Sequence, residues 1–381
     1  MHYLDNAATT PVLPEVKEAM LAFLDADFGN PSSVHAYGRK AKEAVEDARD
    51  RLASAIGASP AEIVFTGGGT EADNLALKGA ASKLRGNGNH VVTTTFEHHA
   101  VLDAASWLGH QGYEITKVPV NGDGIVEPER IAAAVTPKTI IVSVMTVNNE
   151  IGTIQDLPAI VEAVKAANQK TLVHTDAVQA LGNVPIDLHA WGVDLAAFAA
   201  HKLGGPKGVG ALFVRSSVPV EPVIHGGGQE RGVRSGTLNV SGIAGFGIAA
   251  EIAAKEVDFK SERLQKMRDR LLEGVRAALP DVVVNGTVED RVAGNLNICI
   301  PGTDGETLLL MLDQAGIACS SGSACASGAL DPSHVLLAIG VPKKLAKGSL
   351  RFSLGRASTD ADIDAVLEVL PDIVTRARKV A

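Results

Sequence analysis

Lys202 closes an apolar run, DLAAFAA, and stands just ahead of a glycine-rich turn in AAHKLGGPKG. An amine at the mouth of a buried strand loses hydration. That lowers its pKa and leaves a nucleophile able to form a Schiff base with an aldehyde. Most lysines are simply surface residues, and Lys207, beyond Pro206 and inside the turn, suits the role less well. Asp176 ends a second apolar run in HTDAVQA, with Gln179 three residues on. An aspartate there commonly caps the next helix. Opposite a Schiff-base lysine, the same carboxylate would keep a pyridine nitrogen protonated, the condition under which pyridoxal 5'-phosphate withdraws electrons.

Other strand-end stretches carry matching chemistry. In TGGGTEADN, Gly67, Gly68 and Gly69 precede Thr70 and a helix start, an arrangement of backbone N–H groups suited to an anion. It is neither a Walker loop nor a G-x-G-x-x-G fingerprint. FEHHAVLD places His98 and His99 at a strand-to-helix junction. Adjacent side chains diverge, so a shared metal is not expected. One histidine suits a helix cap or the core, the other a cofactor ring and proton movement. VNNEIG offers Asn149 for a phenolic oxygen or a carboxylate. HGGGQERGVRSGT has the glycines of a lipase oxyanion loop, but no G-x-S-x-G accompanies it. It reads better as a basic connection carrying Arg231, Arg234 and Thr237. SSGSACASG holds Cys325 alone among small residues, an inert loop cysteine unless a site lies within its reach. Cys299 and Cys319 read as buried strand residues.

These residues need a scaffold. Between about 60 and 215, nearly continuous β-branched runs (EIVFT, HVVTTTF, TIIVSVM, TLVHTD, VDLAAFAA, VGALFVR) alternate with helical patterns such as LPAIVEAVKAANQ. This predicts an α/β fold with a mainly parallel, doubly wound sheet, whose ligands sit beyond the strands' carboxyl ends. Ahead of it, Ala41, Ala44, Val45, Ala48, Leu52 and Ile56 trace one helix face. Past about 255 a charged helix, short strands and a final amphipathic helix predict a smaller α+β domain. The expected division is a large domain at 15–255 and a small domain at 256–381, joined by the N-terminal segment 1–14.

The 381 residues carry a net charge of −9 and no cationic run, so neither nucleic acid nor an anionic membrane is an expected partner. No apolar run reaches the roughly 18 residues of a membrane span, and MHYLDNAATT lacks a secretory pattern. Three cysteines without C-x-x-C spacing argue against a disulfide framework or zinc knuckle. A cytoplasmic protein with reduced thiols is expected.

In order, YLDNAATTP, FGNPSS, TGGGTEADN, EHHAVLD, VNNEIG, DAVQA, HKLGGPKG, HGGGQERGVRSGT, SSGSACAS and LRFSLG run from Leu4 to about Arg356. Together they resemble the cysteine desulfurases, and SSGSACAS resembles the class with a long cysteine loop that feeds iron–sulfur cluster assembly. The resemblance implies fold-type I, as in the aspartate aminotransferases, and pyridoxal 5'-phosphate as cofactor. It implies that Lys202 holds the cofactor and shuttles the Cα proton, that Asp176 pairs with the ring nitrogen and Gln179 with the phenolic oxygen, and that His98 stacks on the ring. Thr70 and His201 would bind the phosphate, with Thr237 reaching it from the other subunit of a homodimer. Asn149 and Arg351 would hold the carboxylate of L-cysteine. Cys325 would take the substrate's sulfur as a persulfide, because attack at sulfur needs a thiolate, and pass it to an acceptor protein such as an iron–sulfur scaffold. Two positions depart from the family pattern. Ala199 replaces a phosphate-binding serine, an expected loss of one hydrogen bond at roughly 0.5–3 kcal/mol, and Gly204 replaces an aromatic. The competing expectations are a selenocysteine lyase or a small-amino-acid aminotransferase on the same fold, and a non-catalytic sulfur-relay or scaffold protein.

Overall fold

The computed structural model describes residues 1–322 and 332–380. The β-branched runs form seven strands: β1 (Ile63–Thr66), β2 (His90–Thr94), β3 (Glu114–Val118), β4 (Thr139–Ser143), β5 (Leu172–Asp176), β6 (Leu195–Ala199) and β7 (Gly210–Val214). They lie in the order β1-β7-β6-β5-β4-β2-β3. Neighbours are parallel except at β7, which runs antiparallel to both β1 and β6.

Both faces of the sheet are covered, and the two-residue period of each strand divides its side chains between two cores. Phe65, Val92, Val142, Ala196, Phe198 and Phe213 enter one core. Their neighbours Val64, Val91, Ile141, Leu195, Ala197 and Leu212 enter the other. On the first face, α1 (Ala36–Ala55) buries Ala41, Val45, Ala48 and Leu52. On the second lie α2 (69–84), which carries a π-helical turn at Leu75–Gly79, and α3 (His99–His110). Strand β3 escapes the sequence reading. Its EITKV is largely exposed because it forms the sheet edge, so no apolar run marks it.

A 39-residue helix, α4 (Val240–Ala278), begins against the first core and runs unbroken past residue 255 into a separate one. That core gathers Leu264, Leu271, Leu296, Leu350, Phe352 and Val374. It lies against an antiparallel sheet of β8 (Val283–Val284), β9 (Asn295–Cys299) and β10 (Ser349–Ser353). The closing helix α5 (Asp360–Ala377) buries Val366, Leu370 and Val374 there, with Leu367 half-covered. The N-terminus also joins this part: His2–Tyr3 pairs with Ile317–Ala318, Leu4 is fully buried, and Asp5 bridges to Ser353. Residues 6–14 then cross to the large sheet, where Thr10 N donates to His201 O and Leu13 N to Gly204 O. Among the described residues no helix is long and apolar enough to cross a membrane.

Candidate active site

A cavity of about 500 Å³ opens where the strands end. Strand β6 runs into a tight turn, Ala200–Lys202, which brings Ala199, His201 and Lys202 to its wall. Lys202 is half-buried, and Nζ donates to Ala7 O (2.7 Å) and Ala8 O (2.8 Å) of the crossing N-terminal segment. Gln179 Nε2 donates to the same Ala7 O at 2.9 Å, so amide and amine meet on one strap of chain.

Asp176 is the last residue of β5 and only 5% exposed. One carboxylate oxygen accepts from Val178 N at 2.9 Å, leaving the other for a partner in the cavity. Burial pushes its pKa up, opposed by the His98 charge, the Val178 N–H and Lys202. Two further acids lie behind it. Asp73, from α2, is fully buried and also raised by burial and by the charges of Asp176 and Glu97. Glu97 accepts from Thr94 Oγ1 (2.7 Å) and Met145 N (2.9 Å) through one oxygen, and burial pushes it up to about 8. Its other oxygen is buried without a partner, as are Asp73 Oδ1 and His174 Nε2, which face each other at 3.4 Å. Three buried carboxyls cannot all ionise cheaply. Asp176, with the cationic groups of the cavity on its side, is the one suited to carry the charge.

His98 caps α3: its Nδ1 accepts from Ala100 N at 3.1 Å. The cavity wall continues with Thr70 at the head of α2, where glycines 67–69 turn the chain. A Cβ on Gly69 would lie 2.6 Å from Val178, so only glycine lets that turn approach. Burial, with the charges of Lys202 and Lys207, brings His201 down to about 4, which keeps it neutral beside this anion-suited turn. Across the cavity, Arg351 of β10 is 2% exposed. It donates to Asn149 O (2.7 Å) and to Asp5 Oδ1 (2.8 Å), while Nε is buried without a partner.

Eight of the expected residues, Thr70, His98, Asn149, Asp176, Gln179, His201, Lys202 and Arg351, thus border one cavity. Thr237 does not; it is exposed, in the loop where Arg234 pairs with Glu71. Cys325 lies outside the described residues. Gly204 has φ +85°, and a Cβ there would lie 2.5 Å from Leu13, so the crossing segment packs too closely for a side chain at this position. Cys299 is fully buried at the end of β9, whereas Cys319 sits half-buried just past its strand. Sequence reasoning missed Asp5, Asp73, Glu97, Glu150 and His334. Asp73 stands in the quoted TGGGTEADN and Glu97 in FEHHAVLD, but only the folded chain reveals their burial.

A half-buried lysine and a buried aspartate bordering one cavity at the strand ends of a seven-stranded α/β sheet define a fold-type I pyridoxal 5'-phosphate enzyme. The model of the family "Aminotransferase class-V" matches residues 2–366. "Cysteine desulfurase IscS" of Methanosarcina thermophila is 48% identical over 379 residues, covering 100% of this chain and 93% of that protein. A solved structure titled "NIFS-LIKE PROTEIN" superposes with a TM-score of 0.93 at 39% identity, covering 99% of this chain and 100% of the other. Another, "SspA in complex with cysteine", gives 0.83 at 33%, over 94% and 100%. The chain belongs to the cysteine desulfurases of the aminotransferase class-V family.

Proposed function

We propose that this chain converts L-cysteine to L-alanine and carries the released sulfur as a persulfide on Cys325 to an acceptor protein, an iron–sulfur scaffold being the acceptor class. The observation that supports this most is the convergence of Lys202, Asp176, His98 and Arg351, from four separate elements, on one cavity of about 500 Å³. The residues present fit pyridoxal 5'-phosphate: an amine and a buried carboxylate with one uncommitted oxygen border the same space as a glycine turn too tight for a side chain. When bound, the cofactor supplies an electron sink for the Cα carbanion.

Lys202 would hold it covalently, and Asp176 would keep its ring nitrogen protonated. His98, fixed by its cap to Ala100 N, would lie on the ring face, and Gln179 would donate to the phenolic oxygen. The glycine turn, Thr70 and neutral His201 would bind the phosphate. Thr237, exposed on this chain, would serve the phosphate site of a second copy in a homodimer. Arg351, held by Asp5 and the Asn149 carbonyl, would orient the substrate carboxylate, with the Asn149 side chain as second donor. Released Lys202 Nζ would then move the Cα proton. The sulfur step balances: the thiolate of Cys325 forms an S–S bond to the substrate's sulfur as its C–S bond breaks, and the carbon side takes up a proton to become alanine. A reduced, cytoplasmic setting suits a working thiol. The two chain parts, 15–255 and 256–381 with 1–14, would act as the two walls of the site.

The test mixes purified protein, pyridoxal 5'-phosphate and L-cysteine, then measures alanine, pyruvate and the mass of the Cys325 peptide. Alanine with a 32 Da addition on Cys325 is expected (~32 Da per sulfur atom transferred). Cys325→Ala should stay yellow with almost no alanine. Full turnover in that variant would remove the thiol from the mechanism, and pyruvate dependence would favour an aminotransferase.

A further inference from the structure

L-Cysteine arrives with a protonated amine, and that amine must shed a proton before it can displace Lys202. The side chains bordering the cavity differ in their capacity to take it. His98 accepts the Ala100 N–H through Nδ1, so the proton of its neutral ring sits on Nε2 and no lone pair remains for another. His201, held neutral down to about pH 4 by burial, is too weak a base. Lys202 Nζ donates to two backbone carbonyls. His334 differs. Its Nε2 lies 2.9 Å from Glu97 O, and a carbonyl oxygen only accepts. Nε2 therefore carries the hydrogen and Nδ1 presents a lone pair, with no hydrogen bond to any described residue.

The setting suits a charge that comes and goes. His334 borders the same cavity as Lys202 and Asp176. It follows Ser333, the cap of a short helix, whose hydroxyl donates to the buried Glu150 carboxylate. The charges facing His334 are that Glu150 carboxylate, which feels His334, His98 and Arg351, and the half-exposed ring of His99 on α3, 4.8 Å away centroid to centroid. Glu97 contributes its carbonyl, and its carboxyl points to Thr94 and Met145. Burial pushes the Glu150 pKa up, while the Ser333 hydroxyl and the charges of His334, Arg351 and His98 pull it back down. A proton arriving on His334 therefore favours the ionised Glu150 as its counter-charge, and the exposed ring of His99 marks a way for that proton to solvent.

We infer that His334 Nδ1 is the base that accepts the α-ammonium proton of incoming L-cysteine. An N–H bond of the ammonium breaks, an Nδ1–H bond forms, and the electron pair stays on the substrate amine. Nothing is oxidised or reduced. The imidazolium then returns its proton to water at the cavity mouth. This rests on the proposed desulfurase reading.

The test compares wild type, His334→Ala and His334→Gln, the glutamine keeping a donor for Glu97 O but supplying no base. Both variants should lose about 10²-fold in kcat/KM for L-cysteine near pH 7. The deficit should shrink as pH rises and more substrate arrives unprotonated, and added imidazole should restore part of the rate in His334→Ala. A second readout uses ¹⁵N-histidine NMR of the protein without cofactor, where neutral His334 should show Nε2 protonated and Nδ1 bare. Wild-type kcat/KM in folded His334→Gln, a deficit equal at every pH and untouched by imidazole, or a protonated Nδ1 in the neutral ring would each overturn the inference. If wild type itself releases no alanine, the desulfurase reading fails instead, and the two failures stay distinct.

Discussion

Glu97→Gln tests the electrostatics beneath the site. Glu97 is fully buried, its desolvation outweighs its two hydrogen bonds, and its pKa rises from 4.5 to about 8. A carboxyl raised in the folded state contributes stability that is fully present below the unfolded pKa and is lost as pH climbs toward the folded one. Between about pH 4.5 and 8, folding therefore takes up one proton at this residue. The unfolding free energy then falls by about 1.4 kcal/mol per pH unit, or about 2.7 kcal/mol from pH 5 to 7. Glutamine keeps an oxygen for Thr94 Oγ1 and Met145 N but cannot ionise. The expected result, from urea unfolding of the protein without cofactor at several pH values, is a slope shallower by one proton than that of wild type. Asp73 and Asp176 are also raised; burial, the largest cause for both, is common to the two proteins, so the one-proton difference in slope belongs to Glu97 over the range where Glu97 is neutral and adds no charge to Asp73. Infrared spectra of the folded protein at pH 6.5 should show a protonated carboxyl band in wild type that Glu97→Gln lacks. Identical slopes together with an unchanged band would refute the reasoning, because Glu97 would then be ionised and Asp176 would not be the favoured negative charge of the site.

Lys202→Ala should lose the visible absorbance of the lysine-linked cofactor; an unaltered spectrum would contradict its assignment. Ala199→Ser places a hydroxyl on a wall residue of the cavity, and one added phosphate hydrogen bond of about 0.5–3 kcal/mol should slow cofactor loss on dialysis several-fold or more. Gly204→Ala should cost about 1–3 kcal/mol in denaturation, from a positive φ and displacement of Leu13, with smaller effects arguing that the crossing segment yields easily.

Much of this protein is local in origin. The inner strands announce themselves because a strand covered on both faces is buried at every position and is therefore mostly apolar or β-branched, as IVFT, HVVTT and LAAFA are. Lys202, Asp176 and His98 are legible because strand ends in such sheets face the ligand, and the ordered motifs carry the family resemblance. The edge strand Glu114–Val118 lacks that apolar mark, so sequence alone passed over it. Tertiary structure alone decides which polar residues lose their water. Asp73 and Glu97 read as ordinary acids until α2 and the β2–α3 junction close over them. Nothing in the sequence singles out His334 until the Glu97 carbonyl, 237 residues away, settles which nitrogen keeps the hydrogen. Gly204 reads as a departure until Leu13 arrives against it. Residue type and strand pattern are properties of neighbouring positions, whereas desolvation, charge coupling and tautomer depend on what distant segments bring to within a few ångströms.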